Sequence, residues 1–538
     1  MPEVFRALLR VLGAFLILFP GLLATFLIMR AFLRGNTAHF DFAVGLMIIF
    51  LPTLLIKMPG YTPPKRPHHR KWRMLWLILP IIAIFPLSVI VLIFGTVDMA
   101  AYVFHLFYGI GGTPWGDLMP YILTAATFWM VFVVTVYRFQ SWLERIPHTT
   151  AILGLGVIAL NPLVHELAFG RAKILISPHE SLLSTFSNPV LLDGVAQPNV
   201  VILYLEGFES TYAEPVFGDA YAPISRLAEN AISFTNVAQA TATGWSLAGT
   251  IATQCGTPLL LGGVTRIQDI DAGAAILPSV TCLSDIAQQK GYAYWYMSGT
   301  ELLGEAKSYY GYGNFFDTHG GANVRDRSAL TEALGQEIVF DESQGWGFRD
   351  AILLDAALER FAMLLAEERP FILNVAAMDT HGPKAFLSEA CRGPDGALTS
   401  ENMLDAVQCT ARLVETFVAE MRKMSRADET RIIVMSDHLA HHNNLSGSLA
   451  NFERRNTVLF LDDPAGGQTI DRPSTMLDVF PTMLDWLGWI DPAAPEGGLG
   501  VSLLSDGTRS LPEDLGHAAL NERLKLDVEL ARHIWRQQ

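Results

Sequence analysis

Val200-Val201-Ile202-Leu203-Tyr204-Leu205 runs straight into Glu206, and it reads as a buried strand that ends on a carboxylate. Two further runs of the same kind follow, Phe371-Ile372-Leu373-Asn374-Val375-Ala376 and Arg431-Ile432-Ile433-Val434-Met435. Between them lie helical patterns over 223–231, 279–290, 349–367 and 403–424. In 349–367, Ala351, Leu354, Ala357, Leu358 and Phe361 recur at three- and four-residue spacing. Apolar strands alternating with helices predict an α/β domain whose central sheet is mostly parallel and covered by helices on both faces.

The rest of the chain is different in kind. Of 538 residues, 51% are hydrophobic and 17% charged, too apolar for an ordinary soluble protein. Residues 1–170 carry 12 Lys/Arg against 6 Asp/Glu, a net +6, whereas the remainder carries 26 against 47, a net −21. An acidic domain behind a basic apolar segment argues against nucleic acid as a partner. Cys255, Cys282, Cys391 and Cys409 all lie in the acidic part, which fits disulfides in an oxidising compartment. Their short separations favour Cys255–Cys282 and Cys391–Cys409, one of three pairings. Zinc is the competing reading, but the chain has no C-x-x-C pair.

Five apolar stretches have the length of a bilayer span: 7–29, 39–57, 74–95, 118–138 and 149–169. The stretch 98–112, with Asp98, His105 and a glycine run, reads as an interfacial segment or short lid. Lys65 to Arg73 is the densest basic cluster and belongs in the cytoplasm, together with the N-terminus, which reads as no cleaved signal. Five spans then put everything after about residue 170 outside the cytoplasm, in agreement with the cysteines. The expected organisation is a transmembrane domain over 1–170, a juxtamembrane linker over 171–198 and a catalytic domain over 199–538.

In parallel sheets, sites collect at the carboxyl ends of the strands. Here the three strands run into Glu206, into Asp379-Thr380-His381 and into Asp437-His438. Carboxylates plus a histidine suit Mn²⁺, Mg²⁺ or Zn²⁺. Gly244-Trp245-Ser246-Leu247-Ala248-Gly249 places Ser246 at a helix N-terminus, where the dipole and free N–H groups favour phosphate and an alkoxide; the plain alternative is a helix cap. A metal shared with Glu206, Asp437 and His438 would make that hydroxyl a competent nucleophile. His381, Trp346, Arg349, Glu209 and His442 are the candidates for substrate contact. The run His441-His442-Asn443-Asn444 otherwise reads as solvated loop.

Leu205-Glu206, Trp245-Ser246-Leu247-Ala248-Gly249, Gln254-Cys255-Gly256, Trp346-Gly347-Phe348, Asp379-Thr380-His381 and Ser436-Asp437-His438-Leu439-Ala440 together resemble the membrane-bound phosphoglycerol transferases of periplasmic glucans. These are relatives of the lipoteichoic acid synthases in the sulfatase/alkaline phosphatase superfamily. The resemblance covers roughly 199–490, and the four cysteine positions share it. It implies one divalent metal, Mn²⁺ first, on Glu206, Ser246, Asp437 and His438, with His381 at the phosphoryl oxygens. It further implies transfer of phosphoglycerol from phosphatidylglycerol to a periplasmic glucan, with diacylglycerol released, by a multi-pass bacterial inner-membrane enzyme facing the periplasm. Ser stands where many relatives carry Thr. The absence of Pro and Arg in Leu247-Ala248-Gly249-Thr250 argues against sulfate ester hydrolysis. The alternatives are a phosphoethanolamine transferase, a phosphodiesterase with water as acceptor, and a non-catalytic membrane-anchored glucan- or lipid-binding protein.

Overall fold

The computed structural model describes residues 75–94, 115–138 and 180–536, apart from 262–274, 304–308, 336–344, 394–397, 399–401, 427 and 464–465. It also describes Ala101, Tyr102, Phe104, His105 and a few isolated residues before 27. Contacts divide the chain into two units, Met1–Met99 with Trp115–Ser177, and Ala100–Pro114 with Pro178–Gln538.

In the first unit, α1 (Leu75–Phe94) packs on α2 (Trp115–Arg138). Trp129 Nε1 donates to Ser88 Oγ at 2.7 Å, and Ser88 Oγ donates to the Ile84 carbonyl, so two buried polar groups satisfy each other between apolar helices. Leu118–Arg138 is, among the described residues, the one helix long and apolar enough to cross a membrane; Ile84–Ile93 is a shorter apolar helix. The expected spans 7–29, 39–57 and 149–169 lie almost wholly outside the described residues.

The second unit is built on an eight-stranded sheet: β1 (Asn199–Leu205), β2 (Ala231–Phe234), β3 (Ala293–Ser298), β4 (Asn323–Arg325), β5 (Phe371–Ala377), β6 (Thr430–Ser436), β7 (Val458–Leu461) and β8 (Gln468–Ile470). Their order is β4-β3-β5-β1-β6-β7-β2-β8. Neighbours are parallel except for β7, which runs antiparallel to both β6 and β2. The mostly parallel sheet predicted from the alternation is therefore present. β1 explains the unbroken apolar run: Val200, Ile202 and Tyr204 enter the core on one face, Val201, Leu203 and Leu205 the core on the other. α3 (Ser246–Cys255) packs on the first face, α4 (Asp350–Leu365) and α5 (Met403–Met424) on the second.

Two boundaries differ from the sequence reading. The helix expected over 223–231 ends at Ala228, because Ala231 already pairs with Leu461 in the sheet. The helix expected from 279 begins at Leu283, where Asp285 accepts the Cys282 N–H in a capping box. Of the 98–112 stretch, Phe104 and His105 pack with their rings against Trp245, 6.1 and 6.3 Å between centroids, so this piece is built into the second unit.

Both expected disulfides are formed, Cys255–Cys282 and Cys391–Cys409. The first ties the end of α3 to the helix Leu283–Gln289. It closes a loop of sequence separation 27, so replacing both cysteines by alanine is expected to cost about 3–4 kcal/mol. A melt of the oxidised protein beside the variant checks it; equal melting temperatures would refute it.

Candidate active site

Register brings the strand ends together. Leu205 is paired with Ala377 on one side and Ser436 on the other, so Glu206, Met378 and Asp437 follow in step along one edge. Glu206 and Asp437 are 1% and 4% exposed and His438 is fully buried. The Asp437 carboxylate is oriented by the N–H groups of Gly207 and His438, at 2.9 and 2.8 Å. Thr380 Oγ1 donates to the Glu206 carbonyl at 2.5 Å, which stitches the β5 turn onto the β1 end.

Trp245, extended at φ −147°, stands at the N-cap position of α3 without a side-chain capping bond, and Ser246 is the first helical residue. The Ser246 hydroxyl is thus spared the capping role and donates to Glu206 Oε2 at 3.0 Å. α3 is pinned from beneath by a buried polar chain. Gln254 Nε2 donates to Tyr204 Oη and to Asn374 Oδ1, and Tyr294 Oη donates to Gln254 Oε1. Its middle touches the turn after β6 directly, since a Cβ on Gly249 would lie 2.0 Å from the Asp437 carbonyl oxygen. Gly249→Ala is therefore expected to displace α3 or the Asp437 turn, costing about 1–3 kcal/mol by overpacking and most of the activity. A variant with wild-type turnover would show that this contact can relax.

His438 tests whether the pocket fits a cation. Its Nδ1 lies 2.8 Å from the Leu439 carbonyl, which places the proton on that nitrogen and leaves the Nε2 lone pair pointing inward. Nε2 sits 3.2 Å from Glu206 Oε1 and 3.4 Å from Asp437 Oδ2, with no hydrogen-bond partner among the described residues. A lone pair facing two carboxylates in a buried pocket needs a positive charge between them, so the donor set fits a divalent metal. Protonation answers the same need: burial works against a charge on His438, yet Asp437 and Glu206 outweigh it and raise its pKa. Burial and the neighbouring Glu206 push Asp437 up. Burial also acts to raise Glu206, but His438 and the other imidazoles hold it well below the usual range.

The structure adds a residue that the sequence reading had left in solvent. His441 joins Glu206 and His438 with ligand atoms within 4.8 Å of one another, its ring 4.5 Å from that of His438. The H-x-x-H spacing was the available signal. Asp437 supplies a further oxygen beside this trio.

The His381 and Trp346 rings lie 4.2 Å apart between centroids, tilted by 44°, and His381 Nδ1 lies 2.6 Å from the Gly382 carbonyl, which leaves Nε2 for a ligand. Arg349 lies 3.7 Å from Asp379 and over the Phe386 ring. A Cβ on Gly382 would come within 2.8 Å of the His442 carbonyl oxygen, so the two loops meet there. Glu209 is placed differently from the expectation of substrate contact. It is fully buried and held by Arg454 Nε at 2.9 Å, by Arg454 Nη2 and by the Ala440 N–H, so it braces the loop after His438. Arg454→Ala would strand that carboxylate. The expected loss is about 2–3 kcal/mol, reduced from a fully buried pair because Arg454 is 31% exposed, and Glu209→Gln in the same background should recover part of it. Chemical denaturation of the single and double variants measures both.

Among curated proteins the chain is similar to phosphoglycerol transferase I of Xanthomonas euvesicatoria pv. vesicatoria (strain 85-10), 33% identical over 344 residues, which is 63% of this chain and 47% of that protein. It is also similar to phosphoglycerol transferase I of Escherichia coli O6:K15:H31 (strain 536 / UPEC), 29% identical over 300 residues, 54% of this chain and 37% of that protein. The chain thus spans about half or less of the length of these relatives. Among solved structures, the lipoteichoic acid synthase LtaP from Listeria monocytogenes aligns with 13% identity and a TM-score of 0.46, over 67% of this chain and 96% of that one. The Sulfatase family profile matches residues 198–489. That span is more than half of the chain and holds Glu206, Ser246, His381, Asp437 and His438, and the protein belongs to the sulfatase family.

Proposed function

We propose that this chain transfers phosphoglycerol from phosphatidylglycerol to a periplasmic glucan through a phosphoglyceryl-Ser246 intermediate. The observation that carries the reading is the Ser246 hydroxyl, released from capping its own helix and aimed at Glu206. The named similarity to phosphoglycerol transferase I supports the choice of group transferred.

Glu206, Ser246, Asp437 and His438, with His441 in reach, would hold one divalent cation, Mn²⁺ first and Mg²⁺ or Zn²⁺ as alternatives, which lowers the pKa of the Ser246 hydroxyl and offsets charge on the phosphoryl group. Ser246 Oγ attacks phosphorus, and the bond from phosphorus to the diacylglycerol oxygen breaks. The proton lost by Ser246 balances the one that diacylglycerol takes up. In the second half, a sugar hydroxyl attacks the same phosphorus, the P–Oγ bond breaks, and Ser246 regains a proton. His381 Nε2 binds phosphoryl oxygens, Trp346 backs it, and Arg349 binds the anionic headgroup, with His442 beside them. The α3 N-terminus adds its dipole at the phosphorus. Residues 1–170, with five spans, form the bilayer anchor, 171–198 the linker and 199–538 the periplasmic domain of an inner-membrane enzyme.

Incubation with phosphatidylglycerol and Mn²⁺, followed by mass spectrometry, should find one phosphoglyceryl group on the peptide that contains Ser246. An adduct from phosphatidylethanolamine and none from phosphatidylglycerol would replace the donor; diacylglycerol release with an unmodified Ser246 would refute the intermediate.

A further inference from the structure

Behind Arg349 and His381 lie two carboxylates for which the reaction above has no use. Asp350 opens α4 and Asp379 follows β5; they are 0% and 1% exposed. Asp350 Oδ1 accepts the N–H groups of Met378 and Asp379 at 2.7 and 3.1 Å, and its Oδ2 accepts the Thr410 hydroxyl at 2.7 Å. The Asp350 N–H in turn donates to Asp379 Oδ2 at 3.1 Å, and that oxygen also accepts Ser388 Oγ at 2.6 Å. Asp379 Oδ1 faces Arg349. Two acids buried side by side are costly, and here each is held by several donors.

The two hydroxyl donors flank one disulfide. Ser388 precedes the turn Glu389–Cys391, and Thr410 follows Cys409 within α5. Cys391–Cys409 locks that turn onto α5, so each side of the bridge delivers one hydroxyl to one acid of the pair. Ser388 Oγ also accepts the Ala351 N–H at 3.2 Å, which ties the same turn to the start of α4. Glu206, Asp437 and His438 are placed by β1 and β6 and by their own backbone contacts.

We propose that Asp350 is a positioning residue for the headgroup side of the site and that Cys391–Cys409 is its clamp. Together they hold Arg349 and His381 in place, while the metal side is anchored by β1 and β6 and meets the 378–382 turn through Thr380 Oγ1 on the Glu206 carbonyl. The inference rests on the reading of Arg349 and His381 as headgroup residues.

The test uses the full chain in detergent micelles, with Asp350→Asn, Thr410→Val and the pair Cys391→Ala/Cys409→Ala. Thr410→Val deletes one hydroxyl and keeps the fold intact if the other two do not. Amide exchange should quicken at 378–382 and stay as in wild type at 437–440. Mn²⁺ affinity by calorimetry should be unchanged. KM for phosphatidylglycerol should rise about tenfold while kcat for diacylglycerol release stays within about threefold, the size expected for losing a hydrogen bond to a buried charge. Unaltered exchange at 378–382, or Mn²⁺ affinity falling in step with KM, overturns the proposal. Wild-type protein that releases no diacylglycerol would refute the transfer reading by itself. The positioning claim is then decided by exchange and by titration with glycerol phosphate: a tenfold weaker affinity in the variants upholds it, and an equal affinity overturns it.

Discussion

Ser246→Ala is expected to bring diacylglycerol release from phosphatidylglycerol to background, a fall of at least about 10³-fold, with no adduct on the α3 peptide. The size follows from the chemistry. In the proposed reaction Ser246 forms and breaks the bonds to phosphorus, so its removal deletes both half-reactions and not merely a stabilising contact. The side chain is partly exposed at the first position of α3 and its hydroxyl bonds to Glu206 and not to the helix N–H groups, so the fold should not suffer. An unchanged melting temperature and unchanged Mn²⁺ binding stoichiometry would separate loss of the nucleophile from loss of structure. Ser246→Thr should keep substantial turnover, because a hydroxyl stays in the same seat. A Ser246→Ala protein that still transfers phosphoglycerol at the wild-type rate would remove the covalent intermediate from consideration.

The second large effect is expected at the carboxylates. Glu206→Gln leaves the volume nearly unchanged but removes the charge that both Ser246 and His438 face. Mn²⁺ binding should weaken by more than the roughly 10–100-fold seen for outer-shell changes at metal sites, and turnover should fall with it. Metal removal by a chelator should likewise stop turnover, and adding back Mn²⁺ should restore it. The pH dependence has a definite sign. Without a cation, Asp437 and Glu206 favour a second proton on His438 against the effect of burial, since they raise its pKa. A metal must displace that proton, so apparent affinity should rise with pH, about tenfold per unit for each proton displaced. Calorimetry at several pH values in buffers of different ionisation enthalpy counts the protons released. A flat affinity profile with no proton release would show that the histidine does not ligate.

Much of this arrangement is local and was legible in the order of residues. β1 could be read because Val200 to Leu205 alternate into two apolar cores, so every position must be apolar. α4 could be read from its three- and four-residue spacing, α5 as a second long helical stretch, and Glu206, Ser246, Asp437 and His438 stand where the order of residues suggests, just past a strand or at the start of a helix. The disulfides followed from four cysteines at short separations. Local signals failed where a distant partner decides. Nothing around Ala231 announces a strand, since its reason to extend is Leu461, across the sheet. Glu209 looked available to substrate because Arg454 is 245 residues away.

The amino-acid order by itself thus determined the strands, the long helices and which residue types stand at the strand ends, because periodicity and capping act within a few residues. Only the tertiary structure decided that Ser246 faces Glu206 instead of capping its helix, that the His438 lone pair meets two carboxylates with His441 beside it, and that Asp350 and Asp379 lie back to back behind Arg349. Each of these depends on parallel register and close approach between segments far apart in the chain, such as Gly249 against the Asp437 carbonyl, and such distances are set by packing.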